Sequence, residues 1–253
     1  MLVVALGGCG RLQFDTQADA ALDAALAADA YRTAVLADGP LAYWRLGELT
    51  PTIARDELGQ FDGIYEPGCT VGAPGALFGD ANPAARFDGT SCFITLPAAF
   101  GFVATSPYTV EAWVSPAADG DYHHVFTKQT RIAAGPPDDG YALLVSTAGV
   151  YAERVVGTTI VVTNPDTVTL NTFVHAVATY DGATLQFYVN GLVAAPPEAD
   201  ARPLPALDVP AYIGAATPSS NLFDGAIDEV AIYPSALAPS RISDHYNIGI
   251  RGF

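Results

Sequence analysis

Basic residues are scarce in this chain. Eleven Lys and Arg stand against 27 Asp and Glu in 253 residues, a formal charge of -16. Lysine occurs once, at Lys128. So few cations leave little to neutralise a phosphate backbone, which argues against nucleic acid as a partner. The chain also lacks a Walker-type phosphate loop. Long apolar runs are missing too: none reaches the roughly 18–20 residues that a membrane span needs. Charged residues make up only 15% and hydrophobic residues 50%, which excludes a largely disordered polymer. A length of about 200–250 residues suits one sandwich-sized domain.

Glycine and proline are plentiful, 24 and 19 residues, enough to punctuate many short strands. Residues 184–190, T-L-Q-F-Y-V-N, alternate strictly: Leu185, Phe187 and Val189 take one face. Residues 173–180 form the preceding strand, and Asp181-Gly182 between them predicts a type I′ hairpin. Asn190-Gly191 is a second such signal, so 173–195 reads as a three-stranded meander. Further strand patterns occupy 41–47, 84–88, 92–96, 108–114, 123–128, 141–146, 150–155, 159–163, 211–214 and 226–233. A dozen strands without long helices between them predict two packed antiparallel sheets. The helical period ends at Tyr31 and returns at 239–246, where Ile242 and Tyr246 fall one turn apart.

The N-terminus reads L-V-V-A-L-G-G and then Cys9. Leu6, Gly7, Gly8 and Cys9 resemble a bacterial lipobox. The resemblance implies a lipoprotein-type signal over 1–8, with Cys9 carrying the lipid at the mature terminus. The apolar stretch is short and no basic segment precedes it. Residues 13–30 hold eight Ala and four Asp and suit a solvated tether over 9–30, partly helical. If lipid takes Cys9 and the chain is exported to an oxidising compartment, Cys69 and Cys92 remain to form a disulfide. The alternative is two buried thiols.

The remaining chain, 31–253, resembles the laminin-G-like, concanavalin A-like jelly-roll family of bacterial surface proteins. The resemblance lies in A-Y-W-R-L-G-E at 42–48, A-R-F-D-G-T at 85–90 and Y-T-V-E-A-W-V at 108–114. It continues in V-H-A-V-A-T-Y-D-G-A-T-L-Q-F-Y-V-N-G at 174–191 and F-D-G-A-I-D-E-V-A-I-Y at 223–233. It implies an all-β, two-sheet antiparallel sandwich with a short C-terminal helix. It also implies a binding module on the cell envelope or outside the cell, recognising glycan or a surface protein. A structural Ca²⁺ is a further implication, with Asp228 as the matching carboxylate and Asp56 as a second ligand. The competing role for such an Asp is to accept backbone N–H groups and tie a loop.

Trp44 and Trp113 sit in strands and read as core residues between sheets rather than sugar platforms. Tyr122, Tyr151 and Phe223 lie near loops and are less constrained. His123 and His124 point to opposite faces of a strand, a poor chelating pair. Nothing in the sequence brings His175 and His245 to them, which argues against zinc. The alternative function is a glycoside hydrolase or polysaccharide lyase of the same fold. Against it, no E-x-D-x-E run puts two carboxylates on one strand face, and the neighbours Asp228 and Glu229 should face opposite ways. The lipobox yields a test. Cys9→Ala, expressed behind a complete signal, should release the protein from membranes. A wild-type chain that is already unlipidated by mass spectrometry would remove the anchor.

Overall fold

The computed structural model describes residues 30–118, 120, 122–130, 138–163 and 166–252. Cys9 and nearly all of the tether segment lie outside these. The described chain opens with a two-turn helix, α1 (30–37). Six short strands follow: β1 (Ala42–Trp44), β2 (Ile53–Ala54), β3 (Gly63–Tyr65), β4 (Thr70–Ala73), β5 (Ala84–Asp88) and β6 (Ile94–Leu96). Next come β7 (Tyr108–Pro116), β8 (His123–Gln129), β9 (Gly140–Ser146), β10 (Gly149–Val156) and β11 (Thr159–Val162). The meander is β12 (Val174–Tyr180), β13 (Thr184–Val189) and β14 (Leu192–Val193). The chain closes with β15 (Glu198–Ala199), β16 (Ala211–Ile213), β17 (Asp224–Tyr233) and helix α2 (Pro239–Arg251).

The strands form two antiparallel sheets. Sheet A runs β14-β13-β12-β7-β17-β5-β4, with β15 on β13. Sheet B runs β11-β10-β9-β8-β16-β6-β3-β2. Alternation sorts the side chains as the pattern predicts. On β7, Val110, Ala112 and Val114 enter the core between the sheets, while Glu111 and Trp113 point to the other side of sheet A. Trp44, Phe87, Phe126, Tyr141 and Phe187 fill the inter-sheet core. A fully buried Arg154 also reaches inward, its Nη1 donating to Asp200 and its guanidinium 4.2 Å from the Tyr180 ring.

A second apolar cluster covers the outer face of sheet A. Tyr31 and Val35 of α1 and Ile242 of α2 pack there against Trp113, Val177 and Tyr233. Trp113 is therefore buried, but under the helices rather than between the sheets. The helical pattern likewise does not end at Tyr31: residues 30–37 continue it, because Tyr31 and Val35 are one turn apart and both buried. Helix α2 approaches closely through Gly249, where a Cβ would stand 2.4 Å from Trp113 Cζ2. Its start carries Pro239 at the first turn, where a missing N–H costs nothing, and Gly252 ends it in the left-handed region.

The two hairpin signals resolve differently. Asn190 and Gly191 have φ of 52° and 77°, as a type I′ turn requires. At the first, only Gly182 is positive, at 102°. Asp181 Oδ1 instead accepts the N–H groups of Ala183 and Thr184, so a three-residue loop built on the Asp side chain joins β12 to β13.

Cys69 and Cys92 are joined, with Cα atoms 4.6 Å apart across a sequence separation of 23. The bond ties the segment before β4 to the start of the β6 region. Closing a loop of that size is worth about 3 kcal/mol in the chain-entropy account. Non-reducing peptide mapping should recover the Cys69–Cys92 link, and reductant should lower the melting temperature by several degrees. A melting temperature indifferent to reductant, with the link cleaved, would show that the bond adds no stability.

Candidate functional site

Among the described residues no helix covers the outer face of sheet B, although Ala142, Leu144 and Tyr151 there are themselves buried. On β9, Tyr141, Leu143 and Val145 go inward, so Ala142 and Leu144 go outward. On β10, Val150 and Ala152 go inward, so Tyr151 and Glu153 go outward. These strands, with β8 and β11, floor a groove of about 440 Å³. Leu144, Ala148, Ile160 and Val162 give it apolar walls, and Ile160 is 58% exposed. Tyr122 stands at the rim, 55% exposed, its carbonyl held by Asn221 Nδ2 at 2.7 Å. Tyr151 lines the groove and stays neutral, since burial and then the Glu153 charge push its phenol up.

Polar side chains are set among these surfaces, Ser146 on β9 being one of them. Glu153 Oε1 accepts Gln129 Nε2 at 2.6 Å, across β9. His124 lies on the groove side of β8, its Nδ1 2.7 Å from Thr127 Oγ1. Asn221 completes the lining. A smaller hollow of about 240 Å³, with Tyr212, Pro210 and Thr217, borders the far side of Gln129. Of the three loop-proximal aromatics, the structure brings Tyr122 and Tyr151 together. Phe223 is instead fully buried, edge-on to Phe87 in the core. Glu153, Ile160 and Val162 went unremarked in the sequence, although each falls at an outward position of a strand whose alternation was legible.

The histidines separate into two places. His123 and His124 open β8 at the rim, as expected. His175 and His245 meet on the outer face of sheet A, around the buried carboxylate of Glu111. His175 Nε2 lies 2.7 Å from Glu111 Oε1, and His245 Nδ1 lies 2.9 Å from it. Tyr31 and Tyr233 donate their hydroxyls to the same carboxylate at 3.0 and 2.7 Å. On its other side, His245 Nε2 is 3.0 Å from Asp38 Oδ2, out of line for a hydrogen bond. Arg241 also pairs with Asp38. Burial alone would raise Glu111, but His245 and His175 hold it well below its usual range. Burial alone would lower His245, but Glu111 and then Asp38 raise it.

Asp228 and Glu229 lie at the junction of β5 and β1, which pair with successive halves of β17. The β17–β7 register slips between Asp228 and Ala231, and Glu229 has φ of 52°. The bulge corrects the expectation from alternation. Ile227 and Val230 both face the core, and Glu229 is the extra residue between, so both carboxylates leave on the outer side. Glu229 Oε1 accepts Arg45 Nη2 at 2.9 Å, and Tyr43 donates to its Oε2. Burial still pushes Glu229 up to about 7. Asp228 Oδ2 accepts Ala76 N–H at 2.8 Å, while its buried Oδ1 has no partner. Burial and then the Glu229 charge push Asp228 well up.

Asp56 does not fit the role of a second calcium ligand. Its Oδ1 accepts the N–H groups of Tyr43 and Leu58, and its Oδ2 those of Gln60 and Phe61. Four donors fill a carboxylate's acceptor sites, so Asp56 ties its loop to β1. Asp228 keeps one buried oxygen without a partner. Among the described residues no cluster of three or more His, Cys, Asp or Glu side chains is arranged to hold a metal.

A family profile, Laminin_G_3, described as the concanavalin A-like lectin/glucanases superfamily, matches residues 88–243. The chain belongs to this superfamily. No curated protein matches it by sequence. Solved structures carry the superfamily's sandwich at low identity. Domain 4 of AbnA, a GH43 extracellular arabinanase from Geobacillus stearothermophilus solved with arabinotriose, superposes with a TM-score of 0.64 at 18% identity, covering 82% of this chain and 98% of that one. The binding domain of botulinum neurotoxin serotype G gives 0.62 at 10%, covering 83% of this chain and 51% of that one. Trypanosoma rangeli sialidase gives 0.60 at 16%, covering 82% and 32%. This superfamily member thus spans about half of the neurotoxin domain and a third of the sialidase.

The Glu111 cluster sets a pH dependence. Glu111's lowered pKa gives stability that is present above about 4.5, its ordinary value, and is lost as pH falls through the depressed one. His245's raised pKa gives stability that is full below 6.5 and is lost as pH rises through the elevated one. The two overlap between 4.5 and 6.5. Glu229, also raised, acts in the same direction as His245 up to about 7. Because Asp228 and Glu229 lose their contributions from 3.8 and 4.5 upward, melting temperature should be highest near pH 4.5 and fall toward pH 8, and His245→Gln should shrink the part of that fall above pH 6.5. An unchanged slope in the variant would assign the whole effect to Glu229 and its neighbour.

Proposed function

We propose that this domain is a non-catalytic glycan-binding module displayed on the cell envelope, and that its ligand occupies the groove on the outer face of sheet B. The observation that carries this is the composition of the groove. The exposed Tyr122 and an aliphatic wall, backed by Tyr151, suit the C–H face of a sugar ring, while Glu153, His124 and Asn221 suit its hydroxyls. The arabinanase domain, solved with arabinotriose, and the toxin binding domain share the fold and support this reading by analogy alone.

The second reading is a carbohydrate-active enzyme. A retaining glycosidase places two carboxyl groups about 5–5.5 Å apart across the scissile bond. Among the described residues lining the groove, Glu153 is the one carboxylate. The pairs at Asp228–Glu229 and around Glu111 are buried beneath the opposite sheet face, closed to a polymer.

The envelope location rests on the lipobox resemblance and is supported by the closed disulfide, which suits an oxidising compartment. A structural calcium at Asp228 belongs to the same proposal, supported by the unpartnered Oδ1 of that carboxylate. When bound, it would neutralise Asp228 and brace the junction of β1, β5 and β17.

A glycan array probed with the soluble chain, repeated with chelator, tests both parts. Binding to a saccharide, weakened at least about tenfold by Tyr151→Ala in a folded variant, is the expected result. Hydrolysis of a bound oligosaccharide would favour the enzyme instead. A melting temperature lowered by chelator in wild type but not in Asp228→Asn would place the ion at Asp228. No shift, with no metal by elemental analysis, leaves that carboxyl protonated.

A further inference from the structure

We infer that the groove takes the end of a saccharide chain rather than an internal stretch, because the pair Tyr122 and Asn221 closes it on the β8 side; the inference rests on the groove being the glycan site. The groove crosses sheet B from β8 to β11. On the β11 side its lining stops at the edge strand of the sheet, where Ile160 is 58% and Val162 40% exposed. On the β8 side the lining ends in Tyr122 and Asn221. Asn221 belongs to the loop 214–223 that links β16 to β17. The same loop borders the smaller hollow through Ala216, Thr217 and Pro218, so it stands between the two hollows. The sheet there is closed as well. Thr127, opposite Ala142 on β9 and Tyr212 on β16, has no exposed surface, and Ala216 is 1% exposed. A linear saccharide lying in the groove therefore has no open floor on which to continue past β8.

The wall is held in place before any ligand arrives. Asn221 Nδ2 donates to the Tyr122 carbonyl at 2.7 Å, and the Asn221 carbonyl accepts the His124 N–H at 3.1 Å. Thr217 and Ser220 fasten the loop, with their hydroxyls 2.7 Å apart and the Ser220 N–H donating to the Thr217 carbonyl at 3.2 Å. Tyr122 has φ of 24° and Asn221 of 55°. Asn tolerates the left-handed region. A bulky tyrosine is held there at a cost, and strain of this kind collects at ligand clamps. Its result here is an exposed ring fixed at the closed end of the groove. Fixing that ring in advance removes an ordering cost from binding. A terminal sugar unit can lie against Tyr122 while the rest of the saccharide leaves over Ile160. An internal unit would have to pass through the wall.

Calorimetric titration of the whole soluble chain tests the inference. The probes are linear neutral saccharides of glucose, xylose, mannose, galactose and N-acetylglucosamine, from the disaccharide to the parent polymer. Each hexasaccharide is also used with a bulky aromatic cap on its reducing end or, separately, on its non-reducing unit. A saccharide that binds only on the array is capped in the same two ways. One cap should weaken binding at least about tenfold, and the other should leave it within about twofold. One protein molecule should bind per saccharide chain at every length. Asn221→Gly keeps the positive φ and removes the hydrogen bond to Tyr122; Tyr122→Gly removes the ring. In each, with a melting temperature that confirms folding, the penalty for the unfavourable cap should narrow to within about threefold. An equal response to the two caps, several protein molecules per polymer chain, or an unchanged cap penalty in both folded variants would each overturn end recognition while leaving glycan binding intact. Binding by none of the probes, nor by any saccharide on the array, would overturn the glycan reading and end recognition with it.

Discussion

Glu111 is a carboxylate held out of water in the middle of sheet A, and the outer half of the structure is arranged around keeping it charged. A buried carboxylate without partners would take up a proton or unfold its surroundings. Here its donors come from four separate elements: Tyr31 from α1, His175 from β12, Tyr233 from β17 and His245 from α2. Trp113 extends the network by donating its indole N–H to Tyr31 at 2.9 Å. Each partner is fixed by the others, so the first and last described helices are joined through one side chain. Removing one partner of such a group costs far more than an exposed ion pair, because the rest is left buried. Two helices of 8 and 13 residues could not hold themselves on a sheet by intrinsic propensity. Apolar packing on Trp113 supplies the area, and Glu111 supplies the register.

The same logic fails by one bond at Asp228. Arg45 and Tyr43 satisfy Glu229, and Arg45 also reaches Asp80. Asp228 receives a single N–H and keeps a bare oxygen. A bulge puts two adjacent carboxylates on one side of a strand, at the seam where β17 changes partner from β5 to β1. Such a seam leaves backbone and side-chain acceptors without ladder partners. A proton or a cation is the remaining way to settle the charge there, which is why chelation rather than mutation separates the two.

Most of the architecture could be read in advance because it depends on short-range periodicity. The alternation in β13 put Leu185, Phe187 and Val189 on one face, which enters the core, and Asn190-Gly191 marked its turn; on β7 it separated the faces, but Val110 and Ala112 rather than Trp113 meet sheet B. What escaped reading depends on events that period alone does not encode. Glu229 carries no local sign of its left-handed φ; the bulge follows from β17 needing to match β7 on one side and two shorter strands on the other. Helix α1 lies where the helical period is expected to have ended, since only Tyr31 and Val35 bury and the surface that receives them comes from β7, β12 and β17. Asp56 looked like a ligand because an Asp in a loop has the same letters whether its oxygens meet an ion or four N–H groups.

The candidate groove was half visible for a related reason. Tyr151 and Glu153 lie two apart on one strand, and Leu144 and Ile160 lie on its two neighbours in an ordinary meander. Their convergence was in principle a local inference from β9 to β11. Tyr122 and Asn221 were not, because they meet only where β8 joins β16, 99 residues apart in sequence. A sandwich must dispose of two outer faces, and this chain treats them oppositely. Sheet A is roofed by its own helices, with a charged network sealed beneath them. Among the described residues sheet B has no such roof, and Tyr122, Ile160 and Val162 are exposed on it. An apolar surface of that kind costs solubility if it has no occupant. The face that the described helices leave uncovered is therefore the one where a ligand is to be sought.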